Sequence, residues 1–166
     1  MKDSDYRTVL ERIRQHKAHV GIIGLGYVGL PLVREFCHGG FKVTGFDVDP
    51  SKVKALNDGR SYIKHISSSV VQQMVGTGRF TATGDMSRLR QPDAIIICVP
   101  TPLTRTKDPD LQFIEGTART IARTLRAGQL VSLESTTYPG TTRQVVQPIL
   151  EKTGLKVERD FWLAFS

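Results

Sequence analysis

Residues 18–29 confine this chain to a narrow set of folds. Ala18-His19-Val20-Gly21-Ile22-Ile23 is a short, mostly apolar run of strand character, and Gly24-Leu25-Gly26-Tyr27-Val28-Gly29 follows it directly. Leu30, Leu32, Val33 and Phe36 then recur at helical spacing until Gly39-Gly40 stops the pattern. A G-x-G-x-x-G spacing alone is a weak signal. Between a strand and a helix it specifies a strand–turn–helix unit able to receive a pyrophosphate. A second strand candidate, Phe41-Lys42-Val43-Thr44-Gly45-Phe46, ends at Asp47, 18 positions after Gly29. The acidic residue that accepts a ribose hydroxyl in dinucleotide folds is expected about 20 positions on.

The rest of the chain repeats the alternation. Pro50 opens a helix through about Asn57, a good place for proline. Residues 66–76 read as another helix, 79–83 as a third strand and 94–99 as a fourth. A helix over 112–125, a fifth strand over 129–133, a helix over Thr141–Leu150 and a sixth strand over 161–165 complete the reading. The expectation is an α/β fold: a Rossmann-type, doubly wound parallel sheet of about six strands with helices on both faces. Ahead of it, residues 5–16 form a basic amphipathic helix with Val9, Leu10 and Ile13 on one side and Ser4 or Asp5 as cap. The domain reading is residues 1–17 as an N-terminal amphipathic helix and 18–166 as the sheet domain. There is no internal repeat, low-complexity tract or linker. The chain stops on an apolar strand rather than a polar tail, the pattern of a truncated protein.

Charge narrows the partners. The 23 Lys and Arg against 16 Asp and Glu leave +7, which invites a nucleic-acid reading. The cations are spread, however, and Arg119, Arg123 and Arg126 fall at helical spacing, as on a solvated face. No base-reading motif accompanies them, so no nucleic-acid partner is expected, and an anionic small molecule suits the charge equally. No apolar run approaches the roughly 18 residues of a membrane span, so no membrane partner is expected. The polar start Met1-Lys2-Asp3-Ser4-Asp5 has no signal-peptide core, which favours the cytoplasm.

The turn assigns its glycines separate tasks. Gly24 permits the tight turn, Gly26 lets backbone approach a pyrophosphate, and Gly29 lets helix and sheet pack closely. The helix start aims free N–H groups and partial positive charge at the phosphates. Asp47 favours NAD over NADP, because a 2′-phosphate beside it would be repelled. The structural alternative is a plain strand–helix turn with Asp47 as a helix cap. Lys52 either reaches the cofactor or is a solvated lysine. Two further loops fall at strand C-termini, where doubly wound sheets bind ligands. They are Val99-Pro100-Thr101-Pro102-Leu103-Thr104 and Glu134-Ser135-Thr136-Thr137-Tyr138-Pro139-Gly140-Thr141. Thr101 and Thr136 are candidate cofactor contacts, with helix capping the bland alternative. Glu134, without an obvious partner, is a structural or supporting carboxylate rather than a base. Cys37 and Cys98 have no metal-ligand spacing and read as buried, inert thiols, and the four histidines form no cluster, so no metal is expected.

Taken together, Gly24–Leu32, Gly45-Phe46-Asp47-Val48-Asp49, Val99-Pro100-Thr101-Pro102 and Glu134-Ser135-Thr136 resemble the N-terminal domain of the UDP-glucose/GDP-mannose dehydrogenase family from about residue 18 onward. Ser61-Tyr62-Ile63, Pro102-Leu103-Thr104, Pro109-Asp110-Leu111 and the stretch Glu134–Thr142 are most similar to the branch acting on UDP-N-acetylhexosamines, the UDP-N-acetylglucosamine 6-dehydrogenases above all. The resemblance implies oxidation of a sugar C6 alcohol to a carboxylate with two NAD⁺, through a thiohemiacetal on a cysteine of a later domain. A lysine and an asparagine on a central helix assist, and that helix makes the full-length enzymes homo-oligomers. It implies cofactor contacts at Tyr27, Val28, Asp47, Lys52, Thr101 and Thr136.

Set against the family, the central helix and the C-terminal substrate domain are expected to be absent from this chain, and no catalytic residue is expected in it. Cys37 and Cys98 do not match the nucleophile. Leu103 stands where many members have a second threonine, with Thr104 one place on. The expectation is a domain that binds NAD and does not turn over a UDP-sugar alone. The alternatives are a UDP-glucose or UDP-N-acetylmannosamine dehydrogenase fragment, or a non-catalytic NAD-binding module.

Overall fold

The computed structural model describes residues 3–103 and 109–166, with side chains from residue 7 onward. Thr104 and most of the loop expected from Thr104 to Asp110 lie outside the described residues. Six parallel strands form one sheet: β1 (His19–Ile23), β2 (Lys42–Phe46), β3 (Phe80–Thr83), β4 (Ala94–Ile97), β5 (Leu130–Leu133) and β6 (Trp162–Phe165). Their order is β3-β2-β1-β4-β5-β6. The chain therefore winds outward from β1 in one direction, returns, and winds outward in the other. The reversal falls between β1 and β4, the position at which such sheets open a ligand crevice.

The helices are α1 (Asp3–Arg14), α2 (Gly29–His38), α3 (Pro50–Asn57), α4 (Ser68–Gly76), α5 (Gln112–Ala122) and α6 (Gln147–Glu151). Strand side chains alternate between two cores, as the two-residue period requires. Val20, Ile22 and Ile96 pack with Leu30, Val33, Leu56 and Val71 on one face. Ile23, Ile95 and Ile97 pack with Ile114, Ile121 and Leu150 on the other. Because both faces are covered, β1 and β4 are buried along their whole length.

Several expected boundaries shift for local reasons. The fourth strand stops at Ile97, where the backbone turns into the loop carrying Cys98 and Val99. α5 ends at Ala122, so Arg126 is not on a helix face. The helix expected from Thr141 begins as a five-residue π turn, Thr142–Val146. A 3₁₀ turn, Met86–Arg90, was not expected. It starts at Asp85, whose carboxylate accepts from the Ser87 N–H (3.0 Å). Ser4 and Asp5 lie inside α1 rather than capping it.

The N-terminal ends of the strands are tied together by side chains. Asp93, buried beneath β4, accepts from the His19 N–H through Oδ2 (2.8 Å) and pairs there with Arg12 of α1 (3.0 Å). Its Oδ1 pairs with Arg126 (3.2 Å), whose guanidinium also donates to the carbonyls of Arg90 and Pro92. Buried Gln129 donates to the carbonyls of Leu89 and Pro92 and accepts from the Arg126 N–H. Among the described residues, no buried side-chain polar atom lacks a hydrogen-bond partner.

Candidate functional site

The glycine turn stands at the C-terminal end of β1. Gly24 takes φ +90°, and a Cβ there would lie 2.5 Å from the Cys98 carbonyl oxygen. Gly29 opens α2 so close to the turn that a Cβ would lie 1.8 Å from the Gly24 carbonyl oxygen. These two glycines are required by the fold itself. Gly26 is different: a Cβ there would meet no protein atom within 4 Å. Packing does not demand glycine at this position, and the free space faces a cleft.

That cleft, about 740 Å³, runs across the reversal point. Gly24, Gly26, Tyr27 and Val28 line one side and Asp47, Val48 and Lys52 another, with Val99 and Pro100 from the β4 loop and Phe113 and Thr117 from α5. Tyr27, Val48 and Phe113 expose apolar surface on the rim. Among the described residues, no carbonyl or side-chain oxygen accepts from the backbone N–H groups of Gly26, Tyr27, Val28 or Gly29. They run up to the start of α2, where Val28 caps the helix without a side-chain hydrogen bond and Leu30 is the first residue to donate back, to the Gly26 carbonyl (3.1 Å). Their partial positive charge suits a phosphate group.

Asp47 is buried and oriented by the backbone. Its Oδ2 accepts from the Leu25 N–H (2.9 Å) and its Oδ1 from the Asp49 N–H (3.0 Å). It does not cap α3; Asp49 does, accepting from the Ser51 N–H (2.8 Å). Lys52, in the first turn of α3, places its Nζ 3.6 Å from Asp47 Oδ2 and 5.9 Å from the ring centre of Tyr62. Lys52 thus lines the cleft and is paired with Asp47. Each Asp47 oxygen keeps a lone pair for a hydroxyl donor.

Thr101 and Thr136 do not line the cleft. Thr101 is half-buried in the β4 loop and Thr136 is exposed in the β5 loop. The two loops are joined by the Ser135 hydroxyl, which donates to the Val99 carbonyl (2.8 Å). Glu134 has a partner after all: it accepts from the Ser132 hydroxyl (2.8 Å), a link from the loop back to the end of β5. Both cysteines are free and buried, and desolvation pushes the Cys37 thiol up to about 11 and the Cys98 thiol up to about 12. Cys98 lines the cleft, while Cys37 lines a separate groove of about 440 Å³ between α2 and α4. Sequence reasoning missed Phe113 and Thr117, because a helical pattern alone does not say which end of α5 meets a loop from another strand.

Residues 18–166 match the model of the UDP-glucose/GDP-mannose dehydrogenase family, NAD binding domain. A UDP-N-acetyl-D-mannosamine dehydrogenase of Pyrococcus horikoshii is 34% identical over 150 residues, 89% of this chain and 35% of that protein. A UDP-N-acetyl-D-glucosamine 6-dehydrogenase of Pseudomonas aeruginosa is also 34% identical over 150 residues, 89% of this chain and 34% of that protein. A crystal structure of GDP-mannose dehydrogenase from Pseudomonas aeruginosa superposes with a TM-score of 0.83 at 35% identity, covering 87% of this chain and 34% of that one. The chain thus spans about a third of the length of the relatives it matches. It belongs to the UDP-glucose/GDP-mannose dehydrogenase family, and residues 18–166 are that family's NAD-binding domain.

Proposed function

We propose that this chain is the cofactor-binding part of a nucleotide-sugar 6-dehydrogenase that oxidises the C6 alcohol of a UDP-N-acetylhexosamine to a carboxylate with two NAD⁺. The observation that carries the cofactor site is the row of open N–H groups from Gly26 to Gly29 beside a glycine that packing does not need. On this reading those donors, the N–H groups of Tyr27 and Val28 among them, hold the pyrophosphate. Gly24 and Gly29 keep the turn tight against the helix. Asp47 accepts the adenosine ribose hydroxyls and repels a 2′-phosphate, and Lys52 keeps that carboxylate oriented. Thr101 and Thr136 serve the nicotinamide half from the two joined loops. NAD⁺, when bound, supplies the hydride acceptor.

Two similar dehydrogenases act, by name, on UDP-N-acetylhexosamines, which supports the sugar class. The chain's own thiols support a division of labour with a further domain. Burial keeps Cys37 and Cys98 protonated at neutral pH, so neither is a competent nucleophile. A cytoplasmic homo-oligomer goes with this reading.

Calorimetric titration of the chain with NAD⁺ and NADP⁺ tests the site. Preferential NAD⁺ binding that weakens in Asp47→Ala is the expected result, and absence of dinucleotide binding would overturn it. Mixed with UDP-N-acetylglucosamine and NAD⁺, the chain alone is expected to form no NADH. An in-frame continuation after Ser166 encoding a glycine-rich cysteine motif would supply the rest of the enzyme. NADH formation by that product with GDP-mannose but with no UDP-N-acetylhexosamine would sink the proposed substrate class.

A further inference from the structure

The connection between α3 and α4 reaches back to the glycine turn through Tyr62. Its hydroxyl donates to the Leu25 carbonyl at 2.6 Å. The loop delivering it is itself held: the Ser61 N–H donates to Ser68 Oγ (3.0 Å), the Ile63 N–H to Ser61 Oγ (3.1 Å), and Ile63 and Ile66 are buried. The contacts close a circuit around one residue. The Leu25 N–H is held by Asp47, Asp47 pairs with Lys52, the Lys52 ammonium faces the Tyr62 ring, and the Tyr62 hydroxyl holds the Leu25 carbonyl.

The two peptide planes on either side of the Leu25 Cα are therefore each anchored by a different side chain. The second plane, Leu25–Gly26, carries the Gly26 N–H, the first of the open donors. In a trans peptide the N–H points opposite to the C=O. A carbonyl fixed toward Tyr62 thus turns the Gly26 N–H away from the α3–α4 loop.

We propose that Tyr62 is a positioning residue: by holding the Leu25 carbonyl, it aims the Gly26 N–H at the cofactor pyrophosphate. It needs no contact with the cofactor to do so. Without the hydroxyl, the Leu25–Gly26 plane is free to rock, and binding has to order it. This proposal rests on the assignment of the glycine turn as the pyrophosphate site.

Tyr62→Phe tests it, because the phenyl ring stays in place beside Lys52 and only the hydroxyl is lost. NAD⁺ and ADP-ribose are expected to bind about fivefold more weakly, the scale of one hydrogen bond. Adenosine, which has no pyrophosphate, is expected to bind as to the parent chain. The change in the Gly26 amide resonance on adding ADP-ribose is expected to shrink. Unchanged NAD⁺ affinity, or an equal loss for adenosine and NAD⁺, would overturn the positioning role while leaving the cofactor site intact. Failure of the parent chain to bind NAD⁺ would instead overturn the site assignment, and the role of Tyr62 with it.

Discussion

The two ends of the sheet use their polar groups in opposite ways. At the N-terminal ends of the strands, Asp93, Arg126, Gln129 and His19 consume one another's hydrogen-bonding capacity and that of the surrounding carbonyls. At the C-terminal ends, among the described residues, the backbone N–H groups of Gly26, Tyr27 and Val28 stand open on residues that line a cleft. The same strands supply both ends, so strand composition is not the cause. The first end is closed by side chains from α1 and from the segments before β4 and β5. At the second, side chains of Asp47 and Tyr62 hold only Leu25 of the turn, and the N–H groups that follow it are left to the cleft. A folded domain can leave donors unpaired where water or a ligand reaches them, and pairs them where neither does.

The contrast breaks most severely at Gly29. Gly29→Ala drives a methyl group into the Gly24 carbonyl, a backbone atom with little room to yield. A stability loss of at least about 3 kcal/mol is expected in urea denaturation. Parent-like stability would show that the turn relaxes freely. Asp93→Ala attacks the opposite end, stranding the His19 N–H and two guanidinium groups. Both arginines are partly exposed, so a loss of about 2 kcal/mol is expected rather than the full cost of breaking a buried pair. The affinity of the folded fraction for NAD⁺ should stay at the parent value, and a matching loss of affinity would couple the two ends.

Acid sharpens the same contrast. His19 is buried with its Nε2 against Thr44 Oγ1 (2.8 Å). Desolvation first, then the nearby charges of Lys42, Arg88 and Arg12, lower it from 6.5 to about 4, against the opposing pull of Asp93. A depressed histidine binds fewer protons folded than unfolded in this window. Its contribution is therefore complete above pH 6.5 and is lost as pH falls from there through about 4. Between pH 7.5 and pH 5 a decline of about 1–2 kcal/mol is expected, and it should be absent from His19→Gln. An equal slope in that variant would assign the decline to other groups. The smallest change in stability, within about 0.5 kcal/mol, is expected for Gly26→Ala, whose methyl group meets no protein atom. Its NAD⁺ affinity should nevertheless fall about tenfold. Unimpaired binding would remove the ligand explanation for this glycine.

Much of this architecture was legible in the sequence, because apolar periods and glycine punctuation are local signals. α3 starts at Pro50 and ends at Asn57 as its proline and polar flank dictate. The doubly wound class follows from alternating strands and helices, whereas the strand order depends on where the winding reverses, between β1 and β4, which no local signal marks. The circuit through Tyr62 was not legible, since it joins positions 37 residues apart through a single hydroxyl. Thr101 and Thr136 show the same limit from the other side: loop residues of suitable chemistry, whose distance from the cleft depends on backbone direction. The Ser132 partner of Glu134 was missed although it lies two residues away, because strand twist decides whether such neighbours touch.

The burial of both thiols gives the molecule a built-in clock. An alkylating reagent added to the native protein meets no ready thiolate and labels each cysteine only as its surroundings open. Cys98 lines the cleft beside the glycine turn and Cys37 a groove that belongs to α2 and α4. A ligand filling the cleft slows the first reaction beyond any general tightening that slows both. The ratio of the two labelling rates is therefore expected to rise or fall with occupancy of the cleft, independently of how much protein is present.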